Sequence, residues 1–319
     1  MSDGKLITVI GGSGFVGRYL IQSLARRGWR IRVAVRRPDL AGFLQPLGFP
    51  GQISPVQANI RYPETIRAAV ESANAVVNLV GVLYNAGSQD FQGLHAWGAE
   101  LAASVSRDAG CSRFVQVSAI GADSASASEY ARTKAAGERA VAENFPGASV
   151  VRPSVVFGPE DNFFNQFASL SQTLPVLPAF GGGSTRLQPV YVGDVAEGIC
   201  RILEREETRG RTYEFGGPEV VTLRQIFELT MKWAGTSRPI ISIPWSVAKM
   251  QASVMQLLPK PMLTVDQLEL LKRDNVVSEA AKRDHRTLSG LGIEPTGMEA
   301  IVPAYLHRYR KAGQFAASA

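Results

Sequence analysis

Tyr130 and Lys134 stand four residues apart in the run Tyr130-Ala131-Arg132-Thr133-Lys134. On a helix that spacing puts both side chains on one face. A tyrosine phenol titrates near ~10 in isolation, and a neighbouring ammonium favours phenolate and lowers that value. Such a pair serves as a general acid or base in hydride chemistry. Taken alone, the pair also describes an ordinary solvated helix face. A second set of residues supplies the chemical context. Gly11, Gly14 and Gly17 recur at three-residue spacing after an apolar run and directly before an amphipathic one. A strand, a glycine turn and a helix N-terminus together hold a pyrophosphate. Gly11 turns tightly, Gly14 lets backbone approach the phosphates, and Gly17 lets the helix pack close to the strand. The free N–H groups of the first helical turn and the helix dipole favour negative charge there.

These residues need a frame. Residues 6–10 read as a buried parallel strand. The following helix covers 15–27, with Val16, Leu20 and Leu24 on one face and Gly28 as its stop. Further strands are expected at 31–35, 53–57, 75–81, 113–118 and 148–151, and further helices at 64–72, 91–109 and 129–144. The run Ala75-Val76-Val77-Asn78-Leu79-Val80-Gly81 is nearly all apolar, as a strand buried on both faces must be. Pro63 opens the helix at 64–72 from a first helical position. This alternation has one economical solution, a doubly wound parallel sheet of the Rossmann type with helices on both faces. Ser118 then falls at the C-terminal end of a strand, where such sheets place ligand groups.

Beyond Pro153 the pattern loosens. A helix is expected at 163–174, a loop at 175–183, a strand at 187–192, a helix capped by Asp194 to about 206, and a strand at 213–215. Thr222 caps a helix over 223–234. The expected division is a nucleotide-binding core over 1–155 and a smaller mixed C-terminal lobe over 156–319 that contributes back to the core and closes over the nucleotide.

The second strand ends in Arg36-Arg37 with no acidic residue. In NAD-preferring sites an acid near that point grips the ribose hydroxyls. Two guanidinium groups suit a 2′-phosphate instead, which favours NADP(H) over NAD(H).

Composition sets outer limits. Among the 319 residues, 45% are hydrophobic and 19% charged, with a net charge of +6, ordinary for a globular protein. Cys111 and Cys200 are isolated, which argues against a disulfide framework and fits a reducing compartment. His95, His285 and His307 are far apart and form no ligand spacing, so no metal is expected and each reads as a surface or core histidine. No stretch approaches the ~20 apolar residues of a membrane span. The first strand starts within ten residues of Met1, so neither a signal nor a transit peptide is expected. There is no basic stripe with interleaved aromatics, which excludes a nucleic-acid reading.

The chain resembles the short-chain dehydrogenase/reductase superfamily in its extended form. The resemblance is carried by residues 11–17, Ser118, Tyr130 with Lys134, residues 152–159 (Arg-Pro-Ser-Val-Val-Phe-Gly-Pro) and residues 188–196 (Gln-Pro-Val-Tyr-Val-Gly-Asp-Val-Ala). It covers roughly residues 5–235. It implies that the glycine turn, with Ser13, Phe15 and Val16, holds the nucleotide phosphates. It also implies that Asn59 and Ile60 lie at the adenine, Val80 and Gly81 near the ribose, Lys134 on the nicotinamide ribose, and Pro153 beside the nicotinamide. Within the superfamily the chain is most similar to the 39 kDa-type accessory subunits of respiratory complex I and their bacterial relatives, in residues 14–19, 130–138, 152–161 and 215–218. That likeness implies NADPH held as a structural ligand, and core subunits of complex I as partners near the quinone end of the peripheral arm. It further implies a peripheral position on the cytoplasmic face of a bacterial inner membrane.

Two departures stand out. Ser118 and Tyr130 are only twelve apart, and residues 121–128 between them are small and polar, which leaves little to bind a sugar nucleotide. Asn59 replaces the aspartate that many relatives carry, though an amide still accepts or donates.

Residues 246–258 place Val247, Met250, Val254, Leu257 and Leu258 on one helical face, with Trp245 before and Lys260 after. Such a helix suits either a membrane interface or a packed lobe. From Trp245 to Ala319 there are ten Lys and Arg against seven Asp and Glu, a net of +3, which suits an anionic surface. The leading reading is a nucleotide-binding accessory subunit. The alternative is an active NADP(H)-dependent oxidoreductase or epimerase with Tyr130 as acid/base, Lys134 as its tuner and Ser118 as donor to a substrate carbonyl. A third reading is a redox sensor that reports nucleotide occupancy to a partner.

Overall fold

The computed structural model describes residues 4–85, 87, 89–256, 258, 261, 263–310 and 313. The chain divides into two compact units. The first comprises Met1–Pro153, Val192–Phe215 and Glu279–Ile293; the second comprises Ser154–Tyr191, Gly216–Ser278 and Glu294–Ala319.

The first unit is built on a seven-stranded sheet. Its strands are β1 (Leu6–Ile10), β2 (Arg30–Val35), β3 (Ile53–Gln57), β4 (Ala75–Asn78), β5 (Arg113–Val117), β6 (Ser149–Pro153) and the segment Thr212–Phe215. Their order is Thr212–Phe215, β6, β5, β4, β1, β2, β3, and every pairing is parallel. The helices are α1 (Phe15–Arg26), α2 (Pro63–Val70), α3 (Gly98–Asp108) and α4 (Glu129–Asn144), with Val192–Glu204 behind them. β1 lies between β2 and β4, so the strand order reverses there, which is where a doubly wound sheet opens a ligand crevice. All four residues of β4 are buried, as its apolar run requires. α1 buries Leu20, Ile21 and Leu24, worth about 2 kcal/mol each by transfer. α4 starts where Ser128 accepts the Ala131 N–H at 3.3 Å, a side-chain N-cap.

Several boundaries differ from the sequence reading. β4 stops at Asn78, because the Asn78 Oδ1 accepts the Val80 N–H at 3.1 Å and turns the chain out of the sheet. Residues 91–109 are not one α-helix: Gln92–Trp97 form a π-helical turn that leads into α3. Thr212–Phe215 is the seventh strand of the main sheet, paired with β6.

The second unit has its own core around Phe157, Phe164, Phe227, Trp233, Val302 and Leu306. Buried Asp161 fixes one corner. It accepts the backbone N–H of Phe163 and Asn165, each at 3.0 Å, and the Tyr305 hydroxyl at 2.6 Å. Thr222 and Gln225 form a capping box on the helix Leu223–Ala234, as expected. The expected loop at 175–183 contains a strand, Leu177–Phe180, paired in parallel with Ile240–Ile243. The expected strand at 187–192 is two short pieces, Arg186–Leu187 and Val190–Tyr191, broken at Pro189, which has no N–H to give a ladder. Asp194 lies inside the first turn of the helix Val192–Glu204 rather than at its cap.

The helix Trp245–Met255 buries its small residues, Ala248 and Ala252. Trp245 and Met255 pack against the same small core, whereas Val247, Met250 and Val254 face outward, with Met250 66% and Val254 68% exposed. Leu257 and Lys260, which the sequence reading placed with this helix, lie outside the described residues.

Candidate nucleotide site

Every site residue inferred from sequence lies in the first unit, and all but the two on α4 lie at or within a few residues of the C-terminal ends of the parallel strands. Gly11 to Gly14, with Ser13, form the β1–α1 turn, and Phe15, Val16 and Gly17 the first turn of α1. Arg36 and Arg37 follow β2; Asn59 and Ile60 follow β3; Val80 and Gly81 follow β4; Ser118 follows β5; Pro153 ends β6. Tyr130 and Lys134 come from α4.

The turn is shaped for a ligand. Gly11 has φ of +80°, a conformation that side-chain-bearing residues rarely take. A methyl group on Gly17 would overlap the backbone of Gly12, so α1 packs against the turn only with glycine there. α1 has no side-chain cap and no acidic residue in its first turn. Its leading N–H groups and positive dipole end are therefore available to an anion.

Arg36 and Arg37 are both exposed. Arg37 is turned onto Asp39, with Nη2 at 2.7 Å and Nε at 3.0 Å from the two carboxylate oxygens. The Asp39 carboxyl is held below the usual carboxylate range by the hydrogen bond from Arg37. Both partners are exposed, so water screens the pair. Asn59 Oδ1 accepts the Arg61 N–H at 3.2 Å, so the side chain also shapes its own turn.

The most constructed part of the site surrounds Lys134. The ammonium is buried and lies against the exit of β4: a methyl group on Gly81 would sit 3.0 Å from Lys134 Nζ and 3.6 Å from His95 Nε2. Burial pushes the Lys134 amine down to about 8, against the opposite pull of Glu138 one turn further on. Glu138 is in turn held by Arg152 at 2.6 and 2.9 Å. Tyr130 packs edge-on against Phe91 and His95, with centroids 5.8 and 5.2 Å apart, and Lys134 Nζ is 5.8 Å from its ring. The Ser118 hydroxyl is buried and has no hydrogen-bond partner among the described residues.

Phe91 and His95 were not singled out as site residues from sequence. A lone histidine in an apolar stretch carries no ligand spacing, and it reads as core. His95 is indeed buried, but it sits inside the site. The signal lay in its setting, since Phe91, His95 and Tyr130 meet only through the fold.

The residues present fit a nicotinamide dinucleotide. The capless helix end suits the pyrophosphate. Lys134 beside the Gly81 backbone suits ribose hydroxyls, and the unpartnered Ser118 hydroxyl offers a donor further along the same edge.

Comparison with known proteins agrees. The NAD dependent epimerase/dehydratase family model matches residues 7–216. The chain is 34% identical over 323 residues to "NADH dehydrogenase [ubiquinone] 1 alpha subcomplex subunit 9, mitochondrial" of Arabidopsis thaliana, covering 98% of this chain and 79% of that protein. It is 30% identical over 308 residues to the "NADH-ubiquinone oxidoreductase 40 kDa subunit, mitochondrial" of Neurospora crassa, covering 96% and 80%. A ceramide reductase of Caulobacter vibrioides is 33% identical over 191 residues, covering 60% of this chain and 58% of that protein. Among solved structures, a dTDP-glucose 4,6-dehydratase from Bacillus anthracis in complex with NAD superposes with a TM-score of 0.71 at 17% identity, covering 98% of each chain. That last likeness speaks to the fold alone. The chain belongs to the NAD-dependent epimerase/dehydratase family of extended short-chain dehydrogenases/reductases, within the group that holds the subunit 9 proteins of NADH dehydrogenase.

Proposed function

We propose that this protein is an accessory subunit of a membrane-associated NADH:quinone oxidoreductase, complex I, and that it holds NADP(H) as a structural ligand. The observation that carries this reading is similarity along nearly the whole chain to subunits of that enzyme, 98% of this chain in the Arabidopsis relative. Its partners are the core subunits of complex I near the quinone end of the peripheral arm, on the cytoplasmic face of a bacterial inner membrane. The exposed residues Val247, Met250 and Val254 support a contact with the apolar part of that assembly, because the helix that carries them is anchored by alanines on its other side. No helix among the described residues is long and apolar enough to cross a membrane, and the reading accordingly takes the association as peripheral.

In this reading the β1–α1 turn and the α1 N-terminus bind the pyrophosphate. Arg36 and Arg37 meet the 2′-phosphate, with Asp39 releasing Arg37 as the phosphate arrives. Asn59 and Ile60 flank the adenine. Gly81 and Lys134 hold the nicotinamide ribose, and Tyr130 and Pro153 border the ring. When bound, NADPH supplies a hydride donor, but its role here is stability: a ligand that binds only the folded chain stabilises it by mass action.

A second reading, an active NADP(H)-dependent oxidoreductase or epimerase, is favoured by one observation. The buried Ser118 hydroxyl is unpartnered among the described residues, as a donor reserved for a substrate carbonyl would be. Tyr130 would then move the proton, with Lys134 as its tuner.

Denaturing the purified chain and quantifying released nucleotide tests the ligand. We expect about one NADP(H) per chain, with preference shifting toward NAD(H) when Arg36→Ala and Arg37→Ala are combined. Release of NAD(H) from the unaltered chain, or of no nucleotide at all, would overturn the NADP(H) assignment. NADPH oxidation that depends on an added carbonyl compound and vanishes in Tyr130→Phe would favour the enzyme.

A further inference from the structure

His95 lies in the π-helical turn Gln92–Trp97. Turns of this kind are rare and occur frequently at functional sites. This one swings the imidazole into the gap between β4 and α4. There His95 Nε2 accepts the backbone N–H of Val82 at 3.0 Å. On the other side Nδ1 is 3.2 Å from Thr133 Oγ1. The Thr133 hydroxyl already donates to the carbonyls of Glu129 and Tyr130, at 2.9 and 3.1 Å. It therefore receives a proton from Nδ1. That hydrogen-bond pattern assigns the neutral tautomer with its proton on Nδ1. Both ring nitrogens are committed, so the imidazole shuttles no proton.

The two bonds join elements that matter to the ligand. Val82 follows Gly81, and Thr133 precedes Lys134. Phe91 stacks on the imidazole at 5.4 Å, and Tyr130 meets it edge-on. A methyl group on Gly137 would overlap the His95 carbonyl oxygen, so α4 is pressed directly onto the π turn.

We infer that His95 is a positioning residue: as a neutral imidazole it ties the Val82 backbone to Thr133 of α4 and so fixes the Lys134 ammonium against Gly81, where the nucleotide ribose binds. The inference rests on the nucleotide reading of the site. Its chemistry is specific. A cationic side chain at this place would repel Lys134, and an apolar one would leave the Val82 N–H without its acceptor. Among the described residues, Tyr130 of α4 meets the imidazole edge-on and lies beside Lys134, and Glu138 of α4, itself held by Arg152 of β6, favours the protonated amine. Burial and the Lys134 charge push the imidazole down to about 2, so it is neutral at pH 6 and above.

The test is NADPH affinity as a function of pH in the full chain and in two variants. His95→Phe keeps the ring stack and removes both hydrogen bonds. His95→Gln restores an acceptor within reach of Val82. In the unaltered chain, affinity is expected to fall as pH rises through about 8, where Lys134 loses its proton. In His95→Phe, NADPH affinity is expected to drop roughly tenfold, the scale of one lost buried hydrogen bond. The pH midpoint should move up toward the ordinary lysine range as Lys134 escapes into water. His95→Gln should restore both to within about threefold. Equal losses in both variants with an unchanged midpoint would overturn the inference, since packing alone would account for them. So would wild-type affinity and midpoint in folded His95→Phe. If His95→Phe does not fold, nitrogen-15 NMR of the imidazole decides: an unprotonated Nε2 and a protonated Nδ1 at pH 6 support it, and an imidazolium at that pH overturns it. An unaltered chain that binds no NADPH would instead refute the nucleotide reading itself.

Discussion

At the scale of single residues, Lys134 carries the main tension. A buried ammonium is costly, and its amine stands at about 8 in the folded chain against the usual 10.5. Below pH 8 both states hold the proton, and the folded state bears the full cost of burying it, about 3 kcal/mol at ~1.4 kcal/mol for each tenfold loss of proton affinity. Between pH 8 and 10.5 the folded chain has released its proton while the unfolded chain keeps it, so stability from this group rises with pH. Lys134→Met is therefore expected to leave the nucleotide-free protein at least as stable as the original at pH 7, by up to about 3 kcal/mol. That advantage should shrink toward pH 10, and nucleotide retention should be lost. Urea unfolding at the two pH values, with nucleotide content measured alongside, checks this. A variant that is less stable at pH 7 yet keeps its nucleotide would contradict the assignment of Lys134. The residue pair Tyr130 and Lys134 was legible because helical spacing alone brings it together. His95 and Asp39 were not, since their partners, Val82 and Thr133 for one and Arg37 for the other, are set by loop and turn geometry that no periodicity reports.

At the scale of elements, α4 and the π turn meet at Gly137. Helix propensity argues that alanine should replace glycine in a helix with a gain of ~1 kcal/mol. Packing argues the reverse, since the added methyl would overlap the His95 carbonyl oxygen. Overpacking of this kind costs ~1–3 kcal/mol, so packing wins. Gly137→Ala should destabilise the protein to urea and weaken nucleotide binding with it; a net gain in stability would show that the π turn yields easily. The elements α1, α4 and β1 were legible nearly to the residue, because the apolar pattern, the glycine turn and the Gly28 stop fix β1 and α1, and the Tyr130–Lys134 spacing sits inside a helical run for α4. The strand Leu177–Phe180 was not, because Pro175, Pro178 and the glycines at 181–183 read as loop, and the partner strand lies about sixty residues away in sequence. Residues 91–109 read as one regular helix, since a π turn shifts phase by a single residue and leaves the apolar pattern nearly intact.

At the scale of the whole molecule, the doubly wound sheet, the glycine turn and the ring of site residues at the strand ends describe a nucleotide-binding protein of the epimerase/dehydratase family. The family supports many chemistries, so fold alone does not choose among them. What separates an assembly subunit from an enzyme is partnership, and two features bear on it. One is near-complete similarity to NADH dehydrogenase subunits. The other is a helix that turns Met250 and Val254 outward while burying alanine. The most direct measurement is purification of the tagged chain from native membranes in mild detergent, with copurifying proteins quantified by mass spectrometry. Recovery in fixed stoichiometry with the core subunits of complex I is the expected result. Recovery of the chain alone, soluble and free of those subunits, would contradict the accessory role and turn attention to substrates for Tyr130 and Ser118.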